Sequence, residues 1–273
     1  CATRQGSVSQ HAKEERMLDH PPRYALYDDG RHFELMYPTD RSDLPFWLDE
    51  ASGLSANSVL ELACGTGRLS KALAQSGLNV TGINFSSAML HHARQNGAAH
   101  NASIQWIETD MRSFDLGTQF DLIILTGNSI CHLLDTPSLE DCLASIRNHL
   151  RPDGKFILSV FVPDQKLLKR HSREPEPFAN YCDPNGMGEI TVTHTYEYEP
   201  DTQIKRIWLQ HHLPNGEVEH TTFDMKMYFP MELDALLRYN GFCILNKWAD
   251  YDRKPFGPDA SQQILVCRAG SPE

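Results

Sequence analysis

No stretch of this 273-residue chain approaches the ~18 uninterrupted apolar residues of a membrane-spanning helix, and its first residues lack the apolar core of a signal peptide. Lysine and arginine form no block that could track a phosphate backbone. With 25 of them against 36 acidic residues the net charge is −11, which speaks against nucleic acid as a partner. The cysteines, Cys1, Cys64, Cys131, Cys142, Cys182, Cys243 and Cys267, are scattered, odd in number and never spaced C-x-x-C. They read as reduced thiols rather than a disulfide framework. The histidine pairs His91-His92 and His211-His212 lack chelating geometry, because neighbours on a helix point about 100 degrees apart and neighbours on a strand face opposite sides. The expectation is a soluble cytoplasmic protein with no metal, no membrane and no nucleic acid.

What is present is an alternation of strand-like and helix-like segments. Strands are expected at Ser58–Leu62, Asn79–Asn84, Ile104–Glu108, Phe120–Leu125 and Lys155–Val162, with helices at Arg68–Gln75, Ser86–Asn96 and Ser138–Leu150 between them. Short connections of this kind imply parallel pairing and a doubly wound α/β sheet. Ser86 or Ser87 suits an N-cap. Residues 1–22 read as a mobile arm, and a short helical cap follows before the first strand. Beyond Val162, Pro163, Pro175, Pro177 and Pro184-Asn185-Gly186 suggest an irregular lid segment, followed by strands at Glu189–Tyr198, Gln203–Leu213 and Glu217–Tyr228. These form an inserted antiparallel three-stranded sheet. A helix at Met231–Tyr239 and strands at Phe242–Trp248 and Gln262–Arg268 complete the core, giving a division into 23–165, a lid insertion at 166–229, and a return to the core at 230–273.

The segment Val59-Leu60-Glu61-Leu62-Ala63-Cys64-Gly65-Thr66-Gly67-Arg68-Leu69 is an apolar strand ending in two glycines at a helix start. Ligands bind beyond the carboxyl ends of such strands, so the Gly65 and Gly67 backbone is expected to face a cofactor. Nicotinamide and flavin binders share the turn, but their third glycine is Ser70 here. A turn that serves only packing is the alternative.

Glu-x-x-x-Gly-x-Gly, with Ala63 in a position usually held by glycine, resembles the first motif of class I S-adenosylmethionine (SAM) dependent methyltransferases. The element order resembles the small-molecule subgroup with an antiparallel lid sheet, including sugar amine N-methyltransferases and glycine N-methyltransferase. The resemblance implies a Rossmann-like methyltransferase sheet with SAM as cofactor, Glu61, Ala63, Gly65 and Gly67 forming the first contact. At the end of the second strand the family carries an acid for the ribose hydroxyls. This chain has Asn84, which forgoes a charge-assisted hydrogen bond of about 1–2 kcal/mol. Phe85 and Met89 stand where the family makes apolar contacts to adenine and ribose, and Asp110 and Met111 where the adenine edge is read. Thr126, Asn128 and Ser129 belong to the loop at the methionine end, where His132 suits a general base. Tyr24 and Tyr27 match tyrosines that close over bound cofactor, and Tyr181 and the lid aromatics are substrate-pocket candidates. A lid face pairing two copies into a homodimer is the alternative use of those aromatics.

The implied reaction is N- or O-methylation of a small metabolite, with Tyr27, Asn128, His132 and Tyr181 at the reacting centre. Two alternatives stay open. One is a SAM cyclase of the kind found in natural-product pathways, in which the amine of SAM attacks its own γ-carbon to give azetidine-2-carboxylate and methylthioadenosine; Asn84 and the absence of an acidic base in the loop after the fourth strand keep it in view. The other is a non-catalytic SAM-binding module.

Overall fold

The computed structural model describes residues 26–37, 42–98, 104–164, 166–172 and 174–270. The expected arm at 1–22 and Tyr24 lie outside the described residues. Helices α1 (Gly30–Met36) and α2 (Leu44–Gly53) precede β1 (Ser58–Leu62), and α3 (Arg68–Gln75), β2 (Asn79–Asn84), α4 (Ser87–Ala98) and β3 (Ile104–Glu108) follow. The chain then crosses to β4 (Phe120–Leu125), a 3-10 turn (Ser129–His132), α5 (Thr136–His149) and β5 (Leu150–Phe161).

These strands form one side of a seven-stranded sheet of order β10-β11-β5-β4-β1-β2-β3, closed by α6 (Pro230–Tyr239), β10 (Phe242–Trp248) and β11 (Gln262–Ala269). Only β11 is antiparallel to its neighbours β5 and β10. Both faces are covered, as the near-continuous apolar character of the strands requires. On one face Leu60, Leu62, Ile123 and Leu125 pack with Leu139, Leu143, Ile146, Leu233 and Leu237 from α5 and α6. On the other, Val59, Val80, Leu122 and Ile124 pack with Phe46 and Trp47 of α2 and Leu69 and Leu73 of α3. Each such buried side chain contributes about 1.5–3 kcal/mol.

A second, antiparallel sheet of order β6-β7-β8-β9 is inserted between β5 and α6. Its strands β7 (Glu189–Glu199), β8 (Ile204–His212) and β9 (Val218–Lys226) match the three expected. The expected strand count is one short, because β6 (Glu176–Cys182) runs through a segment read as irregular. Pro177 explains the misreading: proline lacks the N–H a central strand needs, but β6 is an edge strand whose register shifts between Pro177 and Ala179. The inward face of this sheet carries Ile190, Val192, Tyr196, Ile207 and Leu209, and Leu26 and Met36 from the α1 region pack into it.

One glycine lets the turn after β1 seat closely against β3. A Cβ on Gly67 would lie 2.3 Å from Cη2 of Trp106 on β3, and the residue has φ +76°. Gly67→Ala therefore combines a strained backbone with a clash against a packed indole. Urea unfolding should show a loss of about 2–4 kcal/mol, and a loss under about 0.5 kcal/mol would disprove the packing role.

Candidate functional site

The chain winds outward from β1 through β2 to β3, then returns to the other side of β1 as β4. The carboxyl ends of β1 and β4 thus diverge at the switch point, where open α/β sheets hold ligands. After β1 the backbone enters the left-handed region at alternate residues, with φ of 50° at Ala63, 57° at Gly65 and 76° at Gly67. This sharp turn is fastened by Cys64 N donating to Ile83 O at 3.0 Å and Gly67 N donating to Cys64 O at 2.9 Å. The φ at Ala63 accounts for the glycine that the resembling family prefers there, and the methyl group costs about 1 kcal/mol of strain.

A cavity of about 350 Å³ opens beyond this turn, lined by Ala63, Gly65, Asn84, Phe85, Met89, Asp110, Met111, Ser129, His132 and Tyr27, and also by Phe33, Ile83, Thr109, Arg112, Gly127 and Leu133. At Gly65 the nearest atom to an added Cβ would be the Met89 terminal methyl at 3.6 Å, so here the backbone itself forms the wall. Asn84 is buried and its Oδ1 accepts from Ser86 N at 2.8 Å. Ser86 Oγ donates to Tyr27 O at 2.6 Å and accepts from Met89 N at 3.2 Å, so it caps α4 and ties the α1 segment to β2 in one residue. Asp110 accepts from the Arg112 backbone and is held by the Arg112 guanidinium at 2.6 Å; this pairing keeps its carboxyl below the usual range.

In the wall of the cavity the Tyr27 hydroxyl and His132 Nε2 lie 2.7 Å apart. Burial lowers the His132 pKa below 6.5, only partly opposed by the Asp224 backbone, so the ring is neutral at pH 7. Burial also raises the Tyr27 phenol well above its usual value. Phe33, Phe85 and His132 surround the Tyr27 ring at centroid distances of 5.8, 6.0 and 5.6 Å. Phe85 is 64% exposed, an uncovered apolar ring at the mouth of a cavity.

Five expected site residues lie elsewhere. Glu61 does not line the cavity: it is buried, takes a hydrogen bond from Ser70 on α3, and is pushed up to about 7 by burial. Gly67 faces Trp106 rather than the cavity. The Thr126 hydroxyl pairs with Ser159 Oγ at 2.7 Å. Asn128, with φ 62°, turns its Oδ1 to the Phe161 amide at 3.0 Å. Tyr181 is buried in the lid cluster, its hydroxyl 3.1 Å from His32 Nδ1. Conversely, Phe33, Ser86 and Arg112 were not read as site residues. Only Ser86 carried a signal, as a helix cap.

A family model for a methyltransferase domain matches residues 59–154. YqeM of Bacillus subtilis (strain 168), whose name gives methyl transfer and no acceptor, is 32% identical over 249 residues, covering 86% of this chain and 92% of that protein. The ubiquinone biosynthesis O-methyltransferase of Pseudomonas aeruginosa (strain UCBPP-PA14) is 31% identical over 155 residues, 52% of this chain and 65% of that one. In fold, the CcbJ methyltransferase of Streptomyces caelestis matches with TM-score 0.77 at 22% identity, over 90% of this chain and 99% of its own. The chain belongs to the class I SAM-dependent methyltransferases. Its cofactor is SAM. The cavity suits that group: its volume falls in the range of about 300–1,000 Å³ usual for such ligands, and it offers bare backbone at Gly65, polar groups at Asn84 and Asp110, and aromatic faces fit for a sulfonium.

The buried Glu61 makes stability depend on pH. Its folded pKa of about 7 exceeds the reference 4.5, so the folded state binds the extra proton between those values, and stability falls as pH rises through 7. Glu61→Gln should flatten that slope and recover up to about 3 kcal/mol at pH 8, read from melting temperatures at pH 5, 7 and 8. An unchanged slope would show that Glu61 is ionised in the fold.

Proposed function

We propose that this protein methylates a hydroxyl or amine of a small metabolite, and that Tyr27 and His132 move the acceptor's proton. The observation that carries this is the 2.7 Å contact between the two side chains in the wall of a cavity that Ala63 and Gly65 also line. SAM, when bound, supplies a methyl group on a sulfonium that is already electrophilic, so the protein's work is alignment and exclusion of water. Gly65 and Ala63 would hold its amino-acid end with Ser129, Asn84 the ribose, Phe85 and Met89 the adjoining apolar surface, and Asp110 with the Met111 backbone the adenine edge. Residues 23–165 and 230–273 would hold the cofactor and 166–229 cover the site.

A neutral imidazole can accept the Tyr27 proton at Nε2 as the phenol oxygen takes one from the acceptor. Tyr27 alone cannot ionise near neutrality, since burial raises its pKa, so the histidine is required. Methylation of oxygen is in keeping with the ubiquinone O-methyltransferase relative. An amine would lose its proton by the same route.

The first test is mass spectrometry of the products from SAM alone and from SAM with candidate acceptors. Methyl transfer requires S-adenosylhomocysteine to appear only with an acceptor; methylthioadenosine and azetidine-2-carboxylate from SAM alone would establish cyclisation instead. His132→Ala should lower kcat by about 10²-fold with little change in SAM affinity. In the unmodified enzyme kcat/KM should fall as pH drops through a value below 6.5 and stay level between pH 7 and 8, because the protonated ring cannot accept. That acid limb should vanish in His132→Ala; a limb that persists would remove His132 from the reaction. Asn84→Asp should tighten SAM binding about tenfold by calorimetry, since the acid restores a charge-assisted hydrogen bond, and weaker binding would refute the ribose assignment.

A further inference from the structure

Residues 26–37 form a strap between the two sheets. On its core side, Gly30 sits so close to α4 that a Cβ would lie 2.6 Å from the His92 side chain, and His92 Nε2 meets Glu34 at 3.2 Å. The Tyr27 carbonyl is held by Ser86. On the lid side, His32 Nδ1 lies 3.1 Å from the Tyr181 hydroxyl and His32 Nε2 lies 3.8 Å from Asp183, while Arg31 donates to Asn185 Oδ1 at 3.1 Å.

The seat for these contacts is itself firm. Asp183 Oδ1 accepts from Asn185 N at 2.9 Å, and Asp183 N donates to Gly188 O at 2.8 Å, which closes the β6–β7 turn around the carboxylate. His32, Tyr181 and Asp183 are each 6% exposed, so their polar contacts act in a low-dielectric setting where they are strongest. Asp29 caps α1 two residues beyond Tyr27, accepting from Arg31 N at 2.8 Å. A displacement of the helix therefore reaches Tyr27 with little slack.

We propose that His32 and Tyr181 are positioning residues, a latch that fastens the strap to the lid sheet and so holds Tyr27 on His132 and over the cofactor. This rests on the methyltransferase reading of the cavity. The lid thus takes part in the reaction without lending it a reacting group: β6, the edge strand, is the anchor, and the strap transmits its position to the phenol.

The test is a double-mutant cycle with two readouts, SAM affinity by calorimetry and hydrogen exchange of the 26–37 peptide in the ligand-free protein. Tyr181→Phe removes one hydroxyl and keeps the ring. It should raise exchange in the strap and weaken SAM binding about fivefold in the parent, but have almost no further effect on binding in the Tyr27→Ala background, where the side chain to be positioned is already absent. His32→Gln should reproduce both effects. A role confined to stability would lower the melting temperature equally in both backgrounds and weaken binding equally in both; that outcome, or unchanged strap exchange, overturns the latch. If no form binds SAM, the reading of the cavity is wrong, and strap exchange in Tyr181→Phe alone decides the latch.

Discussion

The turn after β1 has to reverse into a helix within a few residues while leaving its own backbone exposed to a ligand, and the rest of the molecule is arranged to make that possible. Left-handed conformations at Ala63, Gly65 and Gly67 supply the reversal. Trp106 on β3 supplies the floor, filling the space that Cβ atoms on Gly67 and Gly82 would need. Ser70 and Glu61, paired across the turn, hold α3 against β1. The two glycines of the motif consequently do different work: Gly65 bares the backbone to the cavity, and Gly67 permits the close approach of helix, turn and indole.

The residues that carry the polar groups of the cavity are themselves held by near neighbours. Asn84 is oriented by the Ser86 amide, Asp110 by Arg112, and Tyr27 through its carbonyl by Ser86. Fixing them in advance lowers the ordering cost when a ligand arrives. Ser86 is central to this scheme because one hydroxyl both caps α4 and restrains the segment that bears Tyr27.

Much of the parallel sheet was legible in the amino-acid order, since strands buried on both faces read as short apolar runs closed by glycine or by helix caps. The bounds of β1, β2, β3, β4 and β10 agree with those expected. What escaped has a common physical cause. Side-chain direction at an irregular position depends on φ, which sequence does not display: at φ 62° Asn128 turns to Phe161 instead of the cavity. Alternation could not place Glu61, because β1 is buried on both faces. Trp106 and Gly67 meet across two strands, and Pro177 hid the edge strand that bears Tyr181. Most of the cavity-lining residues that were legible stood at or just beyond the carboxyl ends of β1, β2, β3 and β4, where the order of elements locates the crevice; Tyr27, ahead of α1, was legible only through the family resemblance.

The strap also bears on the order in which the chain can assemble. Tyr27 meets His132 across 105 positions, and His32 meets Tyr181 across 149. Contacts of that span close large loops, and their entropy is lost before any of the enthalpy is gained. The segment 26–37 can rest on α4 through Gly30 and His92, but its grip on His132 and Tyr181 needs the distant parts that carry them. Both contacts are therefore costly to close ahead of the structure between them, whereas the glycine turn is fastened by residues no further along than Ile83.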